Sequence, residues 1–157
     1  MSFNSKRFFV SFSKAVLPLV LIAFVTATLS AVQASDLKLE VQLIWGTNDA
    51  TSPNPNHKPV DSELAKKFAK SPYKWKNYFE VNRQTVKVAA NSEQKLQISP
   101  KCAVDLKNLG DGRIDVKLYG KGKQVVKHTH PLANGLLLLG GDSENDTAWF
   151  VAVKEVK

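Results

Sequence analysis

The chain has 157 residues, of which 43% are hydrophobic and 23% charged, and its 22 Lys+Arg against 14 Asp+Glu give a formal net charge of +8. That length suits one domain able to bury a core without staples, and the single cysteine, Cys102, excludes an internal disulfide. The basic balance favours anionic polymers or membrane surfaces, while lysines scattered along predicted strands, as on a solvated face, argue against a specific nucleic-acid partner.

The N-terminus reads as a signal peptide. Lys6, Arg7 and Lys14 form a basic head, residues 15–25 are an apolar run, and Val32, Gln33 and Ala34 put small residues where a signal peptidase cuts. Pro18, Thr26, Thr28 and Ser30 interrupt the run, so it is shorter than the ~20 residues a spanning helix needs. Cleavage after Ala34, leaving 35–157 as one β-rich domain, is the expectation; an uncleaved anchor is the alternative.

Leu37, Leu39, Val41, Leu43 and Trp45 alternate with Lys38, Glu40, Gln42 and Ile44, the period-two signature of a strand with one face in a core. Residues 46–59 read as a long irregular loop punctuated by Pro53, Pro55 and Pro59. Asp61 caps a predicted short helix with Leu64, Ala65, Phe68 and Ala69 on one face, stopped by Ser71-Pro72 and expected to close one open end of a β-structure. In the next stretch Tyr73, Trp75, Phe79 and Val81 share one parity and Lys74, Lys76, Tyr78 and Glu80 the other. Val86 and Val88 then switch parity, which calls for a bulge near residues 82–84.

Leu96 and Ile98 mark another strand. Residues 102–119 form a hairpin, with Val104 and Leu106, then Ile114, Val116 and Leu118, on the buried face and Asp111-Gly112 supplying positive φ at the turn. The parity of Cys102 places it inward, favouring a buried thiol over an intermolecular bridge. Val126, His128 and His130 alternate in a strand that Pro131 marks as an edge or an end. Residues 136–139 are apolar throughout, as in a strand covered on both sides, and residues 148–156 make an internal last strand. Eight or nine short strands with one helix predict an all-β antiparallel sandwich; a small β-barrel is the alternative.

Few residues suggest chemistry. His128 and His130 project to one face, half of a metal site with no third ligand near in sequence. Residues 142–146 start like a calcium loop, but Thr147 and Val153 stand where that loop needs Gly and Glu. Asn145-Asp146-Thr147 fits a glycosylation acceptor. Neither a phosphate-cradling glycine loop nor a nucleophile elbow occurs.

Three stretches, residues 43–48, 74–81 and 145–150, resemble those of small exported bacterial β-domain proteins of no known activity. The resemblance spans most of the mature chain. It implies an envelope or secreted setting and brings no ligand or functional residue with it.

The sequence therefore points to an exported, periplasmic or secreted monomer without cofactor or enzyme activity. Its expected role is a binding or interaction module for an anionic envelope polymer, a membrane surface with its lipid headgroups, or a protein partner. The long loop, with Trp45 at its base and His57 and Lys58 within it, is expected to form the recognition face together with Lys74, Lys76 and Tyr78. A small metal-dependent hydrolase using His128 and His130, and a purely structural domain, are the competing readings.

Overall fold

The computed structural model describes residues 34–142 and 146–157. The predicted signal segment, apart from Ala34, lies outside the described residues, and so does most of the supposed calcium loop with the glycosylation acceptor Asn145. Among the described residues no helix is long and apolar enough to cross a membrane.

Nine strands form in chain order: β1 (Leu37–Thr47), β2 (Lys58–Pro59), β3 (Asn77–Val88), β4 (Glu93–Ser99), β5 (Cys102–Asn108), β6 (Arg113–Gly120), β7 (Lys123–Pro131), β8 (Leu137–Asp142) and β9 (Ala148–Glu155). Among the described residues one α-helix, α1 (Ser62–Ala69), lies between β2 and β3, and a single 3-10 turn (Leu132–Asn134) follows β7. The strands make two antiparallel sheets, ordered β2-β3-β1-β9-β8 and β4-β5-β6-β7. Neither sheet closes on itself, so the architecture is the expected sandwich and not a barrel.

Alternation explains the core between the sheets. Leu37, Leu39, Val41 and Leu43 of β1, with Val151 and Val153 of β9, meet Val104, Leu106, Ile114, Val116 and Leu118 of the central hairpin, all of them buried. Cys102 is buried in the same core, and burial pushes its thiol up to about 11, which keeps it protonated and inert at neutral pH.

A second core lies on the other face of the five-stranded sheet, and here the structure departs from expectation. Helix α1 packs across that face through Leu64 and Phe68 instead of closing an end of the sandwich; Ala65 and Ala69 remain exposed. Ile44, Phe150 and Ala152 from the sheet, and Trp75 from the segment before β3, complete this layer. Consequently β1 is buried on both faces, including Gln42, which is only 1% exposed although its parity had placed it toward solvent.

Two local devices set these parities. The β1–β3 ladder slips between Leu43 and Ile44, where Asn82 and Glu80 are the successive partners, so the bulged residue is Val81, next to the expected residues 82–84. Phe79 before the bulge thereby shares the face of Trp45, and Val86 and Val88 after it face the inner core. At the hairpin turn, Gly110 (φ 76°) and Gly112 (φ 80°) take the left-handed positions. Asp111 does not; its carboxylate accepts from the Arg113 backbone N–H at 3.2 Å and from its guanidinium.

Strand directions sort the loops into two ends. The first end gathers residues 48–57, the β4–β5 turn at Lys101, the β6–β7 turn at Lys121-Gly122, and residues 146–147 before β9. The opposite end gathers the start of β1, the β3–β4 turn and the glycine turn of the hairpin.

Candidate functional site

The residues expected to form one recognition face divide between the two faces of the five-stranded sheet. Trp45 continues the inward parity of β1 and pairs across the strands with Phe79 and Trp149, its ring centroid lying 6.1 Å from that of Phe79. Tyr78 faces the other way. Its ring stacks on Phe68 at 3.7 Å between centroids, inside the layer under α1, so it is a packing residue and not the exposed contact that parity suggested. Lys74 is drawn to Asp146 at 3.0 Å and lies 5.3 Å from the Trp75 ring centroid.

At the first end, strand β1 runs past the inner core and Trp45 opens onto a cleft of about 380 Å³ lined by Leu43, Trp45, Pro53, His57, Val81 and Trp149. Trp45 and Trp149 are partly exposed cross-strand partners. His57 closes one side, its ring centroid 6.5 Å from that of Trp45. His57 Nδ1 is 2.8 Å from Ser52 Oγ, which ties the ring to its own loop.

The loop over this cleft is ordered by short side-chain bonds. Ser52 Oγ accepts from the Asn54 N–H, Asn54 Oδ1 from the Asn56 N–H, and the Asn54 carbonyl from the His57 N–H. Asn77 Nδ2 donates to the Asp49 carbonyl at 2.8 Å, and Asn48 Nδ2 to the Asp146 carboxylate at 3.2 Å. Asp146, expected from the sequence as part of a polar or calcium-like loop, acts as a clamp. Its carboxylate holds Lys74 and Asn48, and its carbonyl accepts from Trp75 Nε1 at 2.9 Å. The Lys74 ammonium holds that carboxyl below its ordinary range.

The other face of the sheet carries a second cleft, also about 380 Å³, between α1 and the start of β3, lined in part by Phe68, Ser71, Tyr73, Lys76 and Tyr78. The Tyr78 hydroxyl is buried there without a hydrogen-bond partner, and burial raises its pKa above the usual tyrosine value.

No family model, curated protein or solved structure matches this chain. The site is therefore read from its own geometry. Sequence inspection missed Trp149 and Val81 as cleft residues, because both sit in patterns that read as ordinary core strand. It also missed the turns that flank the cleft. A Cβ on Gly120 would stand 3.1 Å from the Trp149 ring, so this ring lies against the β6–β7 turn. The Lys121 N–H of that turn donates to the Lys101 carbonyl at 2.8 Å, setting two lysine-bearing turns side by side. Lys58, Lys101, Lys121 and Lys123 are all exposed at this end.

The two histidines of β7 stand differently from each other. Their rings face the same side at 6.2 Å between centroids, as the spacing predicts. His130 is buried with Nε2 2.9 Å from the Gly135 carbonyl, whereas His128 is exposed. Among the described residues no group of three or more His, Cys, Asp or Glu could hold a metal ion.

Proposed function

We propose that the protein is an exported envelope binding module that recognises an anionic partner, an envelope polymer or a lipid headgroup, through the first end of the sandwich. The observation that carries this reading is the apolar Trp45–Trp149 cleft set beside the lysine-bearing turns at Lys101 and Lys121. Loop ends of a rigid sandwich commonly carry recognition, because the scaffold fixes the loops while leaving them accessible. Partly exposed tryptophans supply contact area at low entropic cost, and lysines around them attract negative charge over a Debye length of about 8 Å at physiological salt.

Two measurements test the proposal. Protein isolated from its producing cells should have an intact mass that begins at Ser35; a mass retaining residues 1–34 would remove export with cleavage from the proposal. The purified protein should bind anionic lipid vesicles or a soluble polyanion at low salt, weaken at high salt, and lose most of that binding when Lys101, Lys121 and Lys123 are changed to Glu. Absence of binding at low salt, or indifference to both salt and the triple change, would leave only the structural-domain reading.

A further inference from the structure

We infer that the Trp45–Trp149 cleft takes the hydrocarbon chain of a monomeric anionic amphiphile, a single unbranched acyl chain whose acidic head meets the lysines of the neighbouring turns. This rests on the proposed function and narrows it from polyanions and headgroups in general to one chemical class.

The lining selects against a saccharide or another polar polymer in the cleft. Leu43, Trp45, Pro53, Val81 and Trp149 offer hydrocarbon and ring faces to it. The polar exception is His57, whose Nδ1 is already engaged by Ser52. A sugar ring buried there would leave hydroxyls without partners. A methylene chain has no such groups, and its burial removes apolar surface from water.

Val125 supplies an independent observation. Among the described residues it is the large hydrophobic side chain left exposed, at 51%. The β6–β7 ladder slips between Leu118 and Tyr119, whose partners are Val126 and Gln124, so Val125 is the bulged residue. A Cβ on Gly120 would lie 3.6 Å from Val125 and 3.1 Å from the Trp149 ring, so Val125 extends the apolar surface from Trp149 toward the turn. Beside it at the turn stand the exposed Lys121 and Lys123, whereas Lys58 pairs with Glu80 on the α1 side of the sheet. Apolar lining with cations at the rim complements a tail with an acidic head.

Calorimetric titration of the purified protein with dodecanoate, hexanoate and dodecyltrimethylammonium, all kept below their micelle-forming concentrations, tests this. Dodecanoate should bind at least tenfold more tightly than hexanoate and at least tenfold more tightly than the cationic amphiphile. Val81→Phe, which fills the cleft from a bulged, partly exposed position, should weaken dodecanoate at least tenfold without changing the thermal midpoint. A chain-length difference below threefold, equal binding of the cationic amphiphile, or unchanged dodecanoate binding in a folded V81F variant would overturn the inference. Should V81F not fold, Val125→Asp serves in its place with the same expected loss. Polyanion binding that persists in any of those cases keeps the broader functional reading, whereas failure of polyanion, vesicles and dodecanoate alike removes both.

Discussion

Tyr78 shows how a single atom can run against its surroundings. Its ring is well placed, stacked on Phe68 and edge-on to Phe150 at 5.9 Å, yet its hydroxyl is buried with no partner. A buried hydroxyl that makes no hydrogen bond loses its water without compensation, at a cost of about 1–3 kcal/mol. Tyr78→Phe keeps the ring and removes the oxygen, so the urea midpoint should stay level or rise. A clear loss of stability would mean that the hydroxyl has a partner in solution, such as an ordered water in the adjacent cleft. Cys102 is the contrasting residue: its environment is apolar, its thiol is held protonated, and core geometry asks nothing more of it.

Helix α1 depends on the sheet for its stability, because eight residues are too few to persist alone in water. Leu64 and Phe68 supply the apolar attachment. Asp61 supplies the start: its Oδ1 accepts from the Leu64 N–H at 3.0 Å. An ion-pair network then orients the first turn over the sheet. Arg83 joins Glu40, Glu80 and Asp61, and Lys154 joins Glu40 and Glu63, so that β1, β3 and β9 all reach the helix start. Exposed pairs of this kind contribute little singly, and their use here is to fix direction.

The Leu64 N–H, followed by Lys154, Gln42 and Arg83 and opposed by burial, holds the Asp61 carboxyl below its ordinary value of 3.8. A carboxyl with a depressed folded-state pKa contributes stability above its unfolded pKa and loses it as pH falls through the folded one. Denaturation should therefore become easier below about pH 4, the ordinary carboxylate range. Asp61→Asn, which can still cap but cannot ionise, should lose less stability than the parent between pH 6 and pH 3. Identical losses in the two proteins would show that Asp61 does not contribute to the acid limb.

At the scale of the whole molecule, the two sheets are joined by more than apolar contact. Asn82 Nδ2 donates to the Ile98 carbonyl at 2.7 Å and Gln84 Nε2 to the Gln97 carbonyl at 3.1 Å, stitching β3 to β4 across the two sheets. Asn108 does the same at the second end. It is 2% exposed, donates to the carbonyls of Ser35 at 2.8 Å and Val88 at 3.3 Å, and accepts from the Gly110 N–H at 2.9 Å. One side chain thus holds the start of β1, the end of β3 and the hairpin turn. Asn108→Ala removes all three bonds, that to the carbonyl of the buried Val88 among them, so chemical denaturation should register a loss of about 1–3 kcal/mol. A loss below half a kilocalorie per mole, on the order of an ordinary surface substitution, would mean that water replaces the side chain. The first end differs: the apolar cleft and the lysine turns lie there beside the Asp146 clamp, and it is the end for which binding is proposed.

Alternation of small and large periodicity was enough for the sandwich class, the hairpin at residues 102–119, the Asp61 cap, the inward Cys102 and the internal last strand. Each of these follows from a side-chain period or a local hydrogen bond that neighbouring residues determine. Local pattern could not say what covers the outer face of β1 and β9, because an alternating strand reads the same whether its second face meets water or a helix. Placement of α1 over that face turned Tyr78 and Gln42 inward and separated Tyr78 from Trp45. The cleft likewise joins residues distant in sequence, Trp45, Val81 and Trp149, with the turns at Lys101 and Lys121. Their meeting depends on strand order and on the slip at Val81, which only the assembled sheets decide, since a shift of one residue sends a strand's side chains to the opposite face.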